Sequence, residues 1–140
     1  MSTPIPVIDL ERADVAEGFR AAYADVGFAY LEGHGVPAAL IESAFAASRR
    51  FHALPLDDKL LLTVNAHHRG YLPFAESKIV ASSIQAATKP NLSESLMIMH
   101  EVEPGSPSDA ADPFAGPNQW PELEGFQAVI AAYDLSLIHI

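Results

Sequence analysis

Apolar positions in this chain change their spacing from segment to segment, and each change marks an element. Ile5-Pro6-Val7-Ile8-Asp9-Leu10 is a short β-type run whose prolines suit the start or edge of a sheet. Asp14, with Glu17 three residues later, reads as a capping box opening a helix. Val15, Phe19, Ala22, Tyr23 and Val26 then recur at helical spacing, and Gly27 sits where a C-terminal cap belongs. Phe28–Leu31 predicts a second strand. Pro37 fits the first turn of a second helix, with Leu40, Ile41, Ala44, Phe45, Ser48 and Phe51 on its apolar face. Pro55 ends that helix, and Leu56–Leu62 predicts a short helical piece in which Asp57 and Asp58 favour the N-terminal dipole.

The periodicity weakens between Val64 and Asn91, where loop is expected, with a strand near Tyr71 and a turn around Ile79. Ser95–Met99 predicts another strand. Glu101–Pro117, rich in proline and glycine, predicts a surface loop. After Asn118-Gln119-Trp120-Pro121 a third amphipathic helix is expected, with Phe126, Val129, Ile130, Tyr133 and Leu137 on one side. Trp120 and Phe126 read as core anchors. No stop signal closes this helix, and Leu135–Ile140 resembles a translated adapter read-through. The expectation is therefore a fragment whose last six residues are foreign.

Composition narrows the chemistry. With 140 residues the chain is one domain or part of one. Eight basic against eighteen acidic residues give a formal charge of −10, a field that repels nucleic-acid backbones and anionic lipid. The absence of cysteine excludes disulfides, Cys-based zinc sites, iron–sulfur clusters and thiol catalysis. The first residues carry no basic, apolar leader, and no apolar run reaches the ~18 residues of a membrane span. A cytoplasmic protein without nucleic-acid or membrane partners is expected; the oligomeric state is not legible.

Three motifs could carry function. Gly33-His34-Gly35-Val36-Pro37-Ala38 formally satisfies the G-x-G-x-x-A dinucleotide fingerprint. However, the required second strand is missing, because Phe51–Pro55 reads as a helix end, and Pro37 removes an N–H that would face a pyrophosphate. The plainer reading is that both glycines permit positive φ in a tight turn. An iron site built as His-x-Asp or His-x-Glu is not found, since none of His34, His52, His67, His68 or His100 has a carboxylate two residues on. No Ser lies in G-x-S-x-G, and Ser93-Glu94-Ser95 has no His placed by sequence to serve it. Arg69-Gly70-Tyr71 remains. Its arginine could clamp a substrate carboxylate while the ring lines a pocket, or it could be a surface arginine before a buried tyrosine.

In order and spacing, these segments resemble the N-terminal region of the isopenicillin N synthase-like Fe(II)/2-oxoglutarate-dependent oxygenases. The resemblance is carried by Pro6–Leu10, Gly27–Val36, Phe51–Leu61, Arg69–Tyr71, Ser93–Leu96 and Asn118–Pro121, with Asn91 and Ser93 standing where Asp and Lys are common. It implies an α+β chain forming the helix-rich N-terminal part of a double-stranded β-helix (jelly-roll) oxygenase, truncated before the barrel core. Residues 4–117 would be the N-terminal domain, and 118–140 would begin a long helix leading to the barrel. The resemblance further implies Fe(II) and 2-oxoglutarate as cofactors of the parent, and a small-molecule substrate and dioxygen as its partners. Arg69 and Tyr71 would be the substrate-binding residues here; catalytic and metal-ligand residues would all lie beyond this chain, leaving the fragment inactive. Two other readings compete: a non-catalytic binding or assembly module presenting Trp120 and the last helix, and a dinucleotide-binding domain. On physical grounds, three amphipathic helices without a complete sheet predict a chain that folds poorly alone or exposes a large apolar patch.

Overall fold

The computed structural model describes residues 4–77, 88–102, 105 and 114–138. In chain order the elements are β1 (Val7–Asp9), α1 (Val15–Asp25), β2 (Tyr30–Glu32), α2 (Ala38–His52), α3 (Leu56–Leu60), β3 (Gly70–Leu72), β4 (Ser95–Met97) and α4 (Phe126–Ile138). The turn expected around Ile79 and much of the expected loop 101–117 lie outside the described residues.

β1 and β2 pair in parallel, Val7 opposite Tyr30, with α1 as the crossover. The second strand begins two residues later than its apolar run. Gly27 first closes α1 in the left-handed region (φ +93), its N–H bonding Ala22 O at 3.0 Å, and pairing starts where Tyr30 N donates to Pro6 O. The capping box does not form. Asp14 makes no side-chain bond to the helix, because its carboxylate accepts Arg12 Nε and Nη2, both at 2.8 Å. A guanidinium two residues upstream offers two charge-assisted donors at once, and it outcompetes a single backbone N–H.

α2 buries Ala44, Ala47 and Phe51, a narrower stripe than its apolar pattern predicts, and Phe45 is left 62% exposed. The deepest packing lies where α2 meets α4 and the antiparallel pair β3–β4, in which Tyr71 stands opposite Leu96. There Phe51, Tyr71 and Phe126 are fully buried, with Phe51 edge-on to Tyr71 at 5.9 Å and tilted to Phe126 at 6.1 Å. Trp120 packs on this cluster, 6.4 Å from Phe126, so both expected anchors occupy the core. α4 departs from expectation in being apolar on nearly all sides rather than amphipathic. Phe126 is buried, Val129 and Ile130 pack half-buried against the core cluster and Tyr133 is half-buried, but Leu137 is exposed.

Candidate functional site

The geometry around Arg69 and Tyr71 follows from one glycine. Gly70 has φ +122, and a Cβ there would collide with Leu62 O and the Gln119 amide. That close approach lets Gln119 Nε2 donate to Thr63 O at 3.0 Å and to Arg69 O, fastening residues 118–121 across β3. Asn118 does the same for the segment after β4. Its Oδ1 accepts Met99 N at 3.0 Å and its Nδ2 donates to Met99 O at 2.7 Å, copying the exchange of a paired strand. Glu101 completes this patch by accepting Asn118 N, Asn118 Nδ2 and Trp120 Nε1 at 2.9, 2.9 and 3.1 Å.

Arg69 is buried, which removes the alternative of a surface arginine. Its Nη1 donates to His67 O at 2.7 Å and Phe114 O at 2.6 Å, and lies 3.1 Å from Met99 Sδ. Among the described residues Nη2 has only a long contact, 3.4 Å to His100 O, and Nε is buried without a partner. One edge of the guanidinium is thus committed to the main chain, while the Nε–Nη2 edge is nearly free.

Tyr71 points into a separate polar cluster. Glu94 Oε2 accepts both the Tyr71 hydroxyl and Lys59 Nζ, the latter at 2.8 Å, and Lys59 also reaches His52 O at 3.3 Å. His52 Nδ1 lies 3.4 Å from Glu94 Oε1, close enough for an ion pair but without hydrogen-bond geometry. The Lys59 and Tyr71 hydrogen bonds pull the Glu94 carboxyl down to about 2 against the opposing cost of burial. Glu94 in turn raises the Lys59 ammonium, and burial followed by the Glu94 bond raises the Tyr71 phenol. At neutral pH the cluster is a buried ammonium, a carboxylate and a neutral phenol, bridging α2, α3, β3 and the start of β4.

Nothing in this arrangement suits catalytic iron. Among the described residues no group of three His, Asp or Glu side chains is placed to hold a metal ion. One His–carboxylate approach among the described residues, His52 to Glu94, is already occupied by the Lys59 ammonium. No reaction step through iron is derived from these residues.

The glycine turn also loses its nucleotide reading. Gly33 and Gly35 have φ +66 and +75, and a Cβ on Gly33 would come within 2.6 Å of Asp9 Oδ1. Pro37 caps α2, and α2 runs into α3 rather than into a strand. His34 Nδ1 accepts Val36 N at 3.1 Å, which makes it a turn residue.

A family profile described as "non-haem dioxygenase in morphine synthesis N-terminal" matches residues 5–123. The chain belongs to this non-haem dioxygenase N-terminal family. It is 33% identical over 132 residues to azadirone synthase of Melia azedarach, covering 90% of this chain and 38% of that protein. It is also 31% identical over 136 residues to a homoarginine-6-hydroxylase of Arabidopsis thaliana, covering 84% and 39%. Among solved structures, a putative 2OG-Fe(II) oxygenase family protein from Caulobacter crescentus superposes with a TM-score of 0.74 at 24% identity, over 97% of this chain and 44% of that one. A full-length Neurospora crassa protein in complex with alpha-KG gives 0.70 at 27% identity, over 95% and 42%. The dioxygenase N-terminal chain thus spans about two fifths of the length of these relatives.

Sequence reasoning reaches Arg69 and Tyr71 but not the residues that hold them. Glu94 is visible there only within Ser93-Glu94-Ser95, with no histidine placed to serve it, and Lys59 as one more polar residue of a short helix. Asn118 and Gln119 carry a motif resemblance but no chemical role. Their roles arise from contacts 19 to 57 residues apart, which periodicity cannot register.

Proposed function

We propose that this chain is the N-terminal part of an Fe(II)- and 2-oxoglutarate-dependent dioxygenase acting on a small molecule, with dioxygen as co-substrate. The observation that carries the reading is the family match over residues 5–123, joined to the resemblance to proteins named as oxygenases and hydroxylases. In this reading residues 4–117 are the N-terminal domain, and 118–140 begin the helix that leads into a jelly-roll catalytic barrel. Bound in the barrel, iron and 2-oxoglutarate would supply the oxidising chemistry. This chain's residues would support the barrel and help exclude water from it. The present chain is inactive alone.

Expression of the full reading frame, with succinate formation measured with and without Fe(II), tests this. Iron-dependent succinate from the long protein and none from the 140-residue chain is expected. Turnover by the short chain, or none by the long one, would overturn the proposal.

The Nε–Nη2 edge of Arg69, buried with Nε unpartnered and Nη2 only weakly bonded to His100 O, supports a substrate-binding role for the Arg69–Tyr71 pair. Two parallel donors on one guanidinium edge suit a carboxylate. Tyr71, held by Glu94, would set the strand from which that edge is presented. Arg69→Ala in the full-length enzyme is expected to raise KM for the primary substrate more than it lowers kcat, and an unchanged KM would remove Arg69 from the pocket.

A further inference from the structure

A groove of about 410 Å3 opens between the end of α3 and residues 120–123. That volume lies within the range of small-molecule pockets. Leu54, Leu62, Leu123 and Trp120 supply its apolar walls, and Leu61 beside it is 82% exposed. Its charged lining consists of Asp58 and Glu122, with no basic residue. Neither carboxylate has a hydrogen-bond or ion-pair partner among the described residues. The nearest cation in sequence, Lys59, is turned inward to Glu94 and cannot neutralise Asp58. The Trp120 ring, held by the bond from its Nε1 to Glu101, lines the same groove as the two acids.

We propose that this groove binds a small organic cation, a protonated amine carried on an apolar body. The apolar walls, Trp120 among them, take the body, and Asp58 and Glu122 select positive charge. The inference does not rest on the oxygenase reading and survives or fails separately from it.

Trp120 is the chain's single tryptophan, so its emission reports on the groove. Three probes of one shape are titrated: 3-phenylpropylamine, 3-phenylpropanol and 3-phenylpropanoate. The amine should change the emission saturably, with the alcohol several-fold weaker and the carboxylate about tenfold weaker, the spread expected of two exposed charges. Asp58→Asn and Glu122→Gln should each weaken the amine about two- to five-fold and leave the alcohol unchanged. Molar salt should compress the difference between amine and carboxylate. The same ranking should appear as thermal shifts of the full-length protein. Equal affinity for all three probes, preference for the carboxylate, no saturable response, or no amine-selective shift in the full-length protein would each overturn the proposal.

Discussion

The chain has two halves that share a sequence style and differ in what holds them. The β1–α1–β2 unit buries only Ile8 and Ala22, and Val7, Tyr23, Phe28 and Tyr30 are each more than half exposed. The α2–β3–β4–α4 half encloses three aromatic rings and locks them with Lys59–Glu94–Tyr71, Asn118 and Gln119. Both halves have alternating or amphipathic patterns, yet only one has an opposing surface for its apolar face. Pattern recruits residues to a face; stability comes from what covers that face.

The largest expected break of this contrast is Phe51→Ala. A fully buried ring at the meeting point of α2, β3 and α4 should cost about 3–5 kcal/mol, and denaturant titration should show the loss. A loss below about 1 kcal/mol would mean that the second half is no firmer than the first.

Glu94→Ala comes next. It strands a buried ammonium and a buried phenol, and should cost about 2–3 kcal/mol, discounted because Glu94 itself is partly exposed. Glu94→Gln, which keeps an acceptor, should cost less. The same carboxylate predicts acid sensitivity. Its folded value of about 2 lies below the ~4.3 of an unfolded Glu. The unfolded state therefore binds the proton first, and this part of the stability is complete above about pH 4.5 and lost as pH falls toward 2. Glu94→Gln should flatten that stretch of the stability–pH curve; an unchanged slope would show that other carboxylates dominate it.

Ile8→Ala should cost about 2 kcal/mol, the low end for such a truncation, since Ile8 is buried in the half that covers the fewest apolar residues. The smallest effect is expected for Val7→Thr and Tyr30→Thr, within about 0.5 kcal/mol in this chain. The full-length protein sharpens the comparison. If its remaining residues cover the β1–β2 face, the same two substitutions should cost more than about 1 kcal/mol there. Equal effects in both forms would leave that face uncovered.

Much of the fold is legible in the sequence, and the limits have particular causes. Proline and glycine signals place Gly27 as a cap, Pro37 at the start of α2 and Pro55 just past its end, because these residues restrict or free φ wherever they sit; the structure sets Pro37 one residue ahead of the helix rather than in its first turn. The Asp14 cap fails because a local signal ignores a stronger local competitor, Arg12. Helical spacing turns Phe45 inward because it marks an apolar stripe but not how wide a neighbour will cover it. Arg69 and Tyr71 stand out as a motif, but their surroundings do not.

Sequence alone settled the order and kind of the elements and the family, since these depend on residue identity and near spacing. Only the tertiary structure decided that Arg69 turns one edge to main-chain carbonyls, that Glu94 gathers Lys59 and Tyr71, and that Asp58 and Glu122 border one groove. Those outcomes depend on which distant surfaces meet, and a carboxylate becomes a clamp or a bare charge according to what faces it once water has been displaced.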